Sequence, residues 1–235
     1  MVNYQRPLMP WDRDGPQRVA HVKAGVTVAC RLGDVLRPNV LVVAGSEHTH
    51  QSGRMVLTRL ALELVEVLPG NVVMVMERLA GIMDRAEPRS AEGLGRAVLV
   101  VDETRQQTAH SIMGERLTAD MYLMVTTHGR KMPDVPHWKM GRMTLFSELR
   151  VLMAKPGVLQ VLEPAIDDPR IWRGTQIRAA LASAQAKPPV DEVDSYVTDG
   201  STQDDAALAI AAVAHMGEAG APDPFVSLPE YRVTA

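Results

Sequence analysis

Short apolar runs of strand length recur along the chain, and the polar stretches between several of them carry helical spacing. The runs fall at residues 18–28, 39–44, 71–76, 97–101, 121–126 and 158–162. Their interiors are rich in Val, Leu and Met and nearly continuous, the pattern of strands covered on both faces. Residues 52–68 place Met55, Val56, Leu60, Leu64 and Val67 or Leu68 at helical intervals, with Ser52 as a candidate N-cap and Pro69-Gly70 as a stop. Residues 106–117, 170–186 and the alanine-rich 204–215 read as three more helices. Strands alternating with helices predict a single-domain α/β/α sandwich around a mixed, mostly parallel sheet. Loops are expected at 77–95 and 129–141, a linker or excursion at 187–201, and an extended tail over 217–235, leaving 1–216 as the domain.

Composition narrows the class. The chain has 235 residues, 46% hydrophobic and 23% charged, with a net charge of -3, which is ordinary for a globular protein. Neither a basic excess nor a basic stripe is present, so no nucleic-acid partner is expected. The first 16 residues contain charge, proline and Trp11 but no apolar core of a signal, and no apolar run approaches 20 residues. A cytoplasmic location without a membrane partner is the expectation. The single cysteine, Cys30, excludes an intramolecular disulfide and reads as a buried thiol in the run 26–30. The 14 methionines against two Phe and four Tyr read as filling for the core.

Candidate chemistry gathers at the ends of the apolar runs. After the run at 39–44 comes Gly45-Ser46-Glu47-His48-Thr49-His50-Gln51-Ser52-Gly53. Glu47 and His50 are three apart, so one turn of backbone would aim both at one point, and His48 with Gln51 forms a second pair of the same spacing. Carboxylate and imidazole suit a zinc-like ion, and a catalytic zinc takes three protein ligands plus water; a solvated polar loop fits the same residues. The run at 121–126 leads into His128, a candidate third ligand, since sites in open α/β sheets gather at the carboxyl edge. Glu163 follows the run at 158–162 and is a candidate general base, or else a helix-capping or salt-bridged surface residue. Arg96 and Arg105 bracket the run at 97–101 and are candidates to clamp a substrate carboxylate.

The order of these features resembles the zinc carboxypeptidase superfamily, and within it the succinylglutamate desuccinylase and aspartoacylase family. That family carries Gly-x-His-Gly-x-Glu-x-x-Gly after a strand. Residues 45–53 are the gapless counterpart with the two ligand types exchanged, Glu47 for His and His50 for Glu. The family's Asp-Leu-Asn-Arg resembles Asp102-Glu103-Thr104-Arg105, and its Ala-Asp-strand-Asp-Leu-His resembles Ala119-Asp120 through His128 with two extra residues. Across roughly residues 35–185 the resemblance implies a carboxypeptidase-like fold and a zinc ion on Glu47, His50 and His128. It implies Glu163 as general base and Arg105 with Arg96 on the substrate. The implied activity is a deacylase cleaving an N-acyl amino acid or another small carboxylated amide. The exchanged ligands and Thr104 in place of Asn leave a second expectation: a non-hydrolytic or biosynthetic member that binds a carboxylated small molecule. Members of the family often carry an added C-terminal β domain. No counterpart is visible here, which leaves the site open or covered by another subunit of a homo-oligomer.

Overall fold

Twelve residues, Ala20–Arg31, form the strand around which the sheet is organised, and the strands on its two sides treat it differently. In a computed structural model the described residues are 3–4, 20–51, 54–69, 71–91, 97–105, 121–127, 138–186 and 201–219. The strands are β1 (Asn3–Tyr4), β2 (Ala20–Arg31), β3 (Asn39–Gln51), β4 (Arg54–Leu68), β5 (Val98–Asp102), β6 (Met121–Thr127), β7 (Trp138–Gly141) and β8 (Leu159–Val161). The helices are α1 (Val72–Ala91), α2 (Arg142–Ala154), α3 (Gly174–Ala186) and α4 (Thr202–Ala219).

The sheet order is β7-β6-β5-β2-β3-β4-β8, with β1 paired to β2 off this path. β2, β3 and β4 form an antiparallel meander, whereas β5, β6, β7 and β8 each join by parallel pairing. Within the main path, therefore, only β3 runs against the rest. The expected mixed, mostly parallel sheet is present, and helices cover both faces. Ala29, Val42, Leu60 and Val100 pack with α2, α3 and α4, while Val28, Leu41, Val43 and Leu99 pack with α1. The alternation 28/29, 42/43 and 99/100 between the two cores is the two-residue period of strands covered on both sides.

Helix α4 fills the centre of one face. Residues 204–214 are all buried, and the small side chains of Ala206, Ala207, Ala209, Ala211 and Ala212 let it lie close against β2 and β3. Fully burying Leu208, Ile210 and Val213 adds about 1.5–3 kcal/mol each. The alanine richness visible in the sequence thus marks a helix with neighbours all round, since α2 and α3 pack on its outer side.

Four elements differ from the sequence reading. Residues 52–68 do not form a helix; 54–68 are strand β4. The register with β3 skips Thr58, since Glu47 faces Arg59 and His48 faces Leu57, and it skips Glu63, since Val43 faces Leu64 and Ala44 faces Leu62. Each bulge adds a residue to the two-residue period. The buried positions 57, 60, 62 and 65 on one face, with 61 and 68 on the other, therefore imitate the i, i+3, i+4 spacing of a helix. The reverse error occurs at 71–76. There the apolar run opens α1, whose buried Val75, Met76, Leu79, Ile82, Met83 and Ala86 continue at helical spacing through the expected loop at 77–95. The expected loop at 129–141 contains β7 at its end, and α2 was not foreseen although Leu145, Phe146, Leu149 and Leu152 are buried at helical spacing. The expected helix at 106–117 lies outside the described residues. α4 continues to Ala219, past the expected domain boundary at 216.

Candidate functional site

The antiparallel course of β3 decides which of the candidate residues can meet. β2, β5 and β6 run the same way, so Arg31, Asp102 and the end of β6 lie at one edge, the carboxyl edge of the sheet. β3 starts at that edge, with Val40 opposite Arg31, and ends at the other, with Glu47 opposite Ala24. The seven residue steps from Ala24 to Arg31 span roughly 23 Å of strand. Glu47 therefore sits at the opposite edge from the strand that leads towards His128. His128 itself and Arg96 are outside the described residues, as is the side chain of His50.

The local backbone is a strand and not the expected turn. On a helical turn an offset of three brings side chains together, but along a strand it puts positions 47 and 50 on opposite faces. Glu47 faces the α1 side of the sheet, half exposed, and its Oε1 accepts a hydrogen bond from Arg59 Nη1 at 2.7 Å. Arg59 Nε also reaches Gln160 Oε1 at 2.9 Å. Glu47 and Leu162, the neighbour of Glu163, line one shallow cleft with Gly25, Gly45, Arg59 and Glu63. His48 points the other way, buried, with Nε2 2.7 Å from the carbonyl oxygen of Gly217 near the end of α4. Among the described residues no group of three or more His, Cys, Asp or Glu is arranged to hold a metal ion. Of the zinc set implied by the resemblance, Glu47 alone has a described side chain, and it is engaged by Arg59.

Glu163 lies against the start of α3. Its Oε2 accepts the backbone N–H of Gly174 at 3.1 Å and its Oε1 accepts from Arg178 Nη2 at 3.1 Å. The first contact satisfies one of the orphan donors at the start of α3. Gln176 completes the helix start by accepting the N–H of Arg173 at 2.9 Å. The capping alternative raised from the sequence is the arrangement observed.

At the carboxyl edge the structure assembles a centre that the motifs only half revealed. β5 ends in Asp102, β2 ends in Arg31, and the first turn of α4 brings Asp204 and Asp205. Ser201 caps that helix, its Oγ accepting the N–H of Asp204 at 3.2 Å. The buried guanidinium of Arg31 bridges two carboxylates from two elements: Nη1 donates to Asp102 Oδ2, and Nε donates to Asp205 Oδ1 at 2.7 Å. Arg105 closes on Asp205 as a fork, Nη1 to Oδ2 and Nη2 to Oδ1, both at 2.8 Å. The carboxylate that Arg105 clamps is therefore the protein's own. Asp102 also accepts the N–H and hydroxyl of Thr104 at Oδ1, which folds the 102–105 turn back onto the strand end.

Electrostatics follow from this packing. Burial pushes the Asp205 carboxyl up, but the Arg105 fork and the charge of Arg31 outweigh it and hold the group below its ordinary value. Burial, and then the like charge of Arg31, lowers Arg142 to about 10, while Asp204 and Asp205 pull the other way. Arg142 also lies over the Phe146 ring, 5.9 Å from its centroid. Burial and then Asp102 push the Cys30 thiol well up, so it stays protonated, as expected of a core thiol. Arg31, Arg105 and Arg142 thus face Asp102, Asp204 and Asp205, three cations against three carboxylates.

Arg31 and Asp205 were missed in the sequence, although each leaves a signal. Arg31 is a charge ending a long apolar run, and Asp204-Asp205 are paired acids opening an otherwise apolar helix. Asp102 and Arg105 were marked together by the Asp-x-x-Arg motif.

No protein-family profile matches the chain, and no curated protein matches it. Among solved structures it is similar to the human cytomegalovirus terminase nuclease domain, at 12% identity over 83% of this chain and 84% of that one, with a TM-score of 0.42. The Mn-soaked form of that domain gives 11% identity over 83% of each chain and a TM-score of 0.43. Its Mn-soaked, inhibitor-bound form gives 11% over 83% of each and 0.41. A likeness at this level carries no inference about activity. Among the described residues no helix is long and apolar enough to cross a membrane.

Proposed function

We propose that this chain is a non-hydrolytic domain built on the plan of a metal-dependent hydrolase, in which the guanidinium of Arg31 stands where a divalent cation would bridge Asp102 and Asp205. The observation that carries this reading is the double contact of Arg31, one N–H to each carboxylate, with both side chains about 96% or more buried. Carboxylates from a strand end and a helix start, meeting at the carboxyl edge, are the hard oxygen donors that hold Mg²⁺ or Mn²⁺ in hydrolases. Here their charge is already matched. A divalent ion would have to evict a buried arginine and leave that cation among Arg105 and Arg142. The centre instead ties β2, β5, the 102–105 turn and α4 into one unit.

Equilibrium dialysis against Mn²⁺ tests this. The chain is expected to retain less than one ion, with the Asp102→Asn/Asp205→Asn variant retaining the same amount. Stoichiometric binding that this double variant loses would overturn the reading.

A second reading keeps the zinc deacylase implied by the family resemblance. It draws support from one observation, that Glu47 and Leu162, next to Glu163, line the same cleft. It requires stoichiometric zinc in the purified chain and turnover of N-acyl amino acids that Glu163→Gln abolishes. Protein that holds no zinc and hydrolyses none of them removes it.

A further inference from the structure

We draw no further inference here: the strongest candidate, the exposed aliphatic turn of Val35 and Leu36 between β2 and β3, carries nothing because nothing in the structure shows what covers it.

Discussion

Replacing Arg31 by Leu removes the cation that joins Asp102 to Asp205, and the structure sets the size of the effect. Breaking a buried ion pair by deleting one partner costs about 3–5 kcal/mol, because the other charge remains buried. Asp205 keeps the Arg105 fork at 2.8 Å, so its loss is small. Asp102 keeps the N–H and hydroxyl of Thr104. One of the two carboxylates loses its bridging guanidinium, which places Arg31→Leu at the low end, about 3 kcal/mol. Leu is apolar and fits a strand, so adding Asp102→Asn should remove the stranded charge and recover about 2 kcal/mol of the loss as a coupling energy. Urea unfolding followed by circular dichroism reads both values, provided the slope with denaturant is unchanged. A loss below about 1 kcal/mol for Arg31→Leu, or a double variant as unstable as the sum of the singles, would refute the claim that Arg31 is the counter-ion of this centre.

Other consequences can be checked separately. Arg31→Lys should fail to substitute, with a loss of about 2 kcal/mol or more, since a point-like ammonium does not reproduce a planar fork across two carboxylates; a melting curve equal to that of the unaltered chain would argue against bridging. Asp205 is held below its ordinary value, so its ionisation contributes stability that is fully present above the unfolded carboxylate value of about 3.9. That contribution is lost as pH falls through the folded value. Stability measured from pH 6 to pH 2 should accordingly fall less steeply in Asp205→Asn than in the unaltered chain. Glu163→Ala should cost about 0.5–1 kcal/mol through the uncapped N–H of Gly174, a loss read by thermal melting. The same variant would abolish activity outright if Glu163 were a general base, so activity assays separate the two roles. Gly33→Ala forces a Cβ against the Arg37 carbonyl and should cost about 1–3 kcal/mol, measured by urea unfolding.

Much of the fold was legible because buried strands advertise themselves as short apolar runs, and five of the six expected runs are strands. What failed did so for identifiable reasons. The two bulges at Thr58 and Glu63 gave β4 a helical hydrophobic spacing, and a run of Val and Met at 72–76 is indistinguishable from a strand until the period of Leu79, Ile82 and Met83 is followed beyond it. Reading β4 as a helix then made 45–53 look like a strand-to-helix turn able to aim Glu47 and His50 at one ion. Along β3 the positions 45–51 instead alternate between faces and run to the far edge of the sheet. The carboxylate centre was harder to see because its parts are far apart in sequence: Arg31 and Asp205 are separated by 174 positions and meet only when α4 docks on β2. Asp102 with Arg105 was the one fragment local enough to be marked, and its arginine was assigned to an external carboxylate because Asp205 could not be placed.

The central claim, that Arg31 occupies the place of a divalent cation, is tested most directly by thermal shift with Mn²⁺ on the unaltered chain and on Arg31→Ala side by side. A cation that binds only the folded state stabilises it by about 2.7 kcal/mol at a hundred times its dissociation constant. Mn²⁺ is therefore expected to raise the melting temperature of Arg31→Ala by several degrees, an effect that Asp102→Asn cancels, and to leave the unaltered chain unchanged. An unaltered chain that Mn²⁺ stabilises as strongly as the variant would contradict the account.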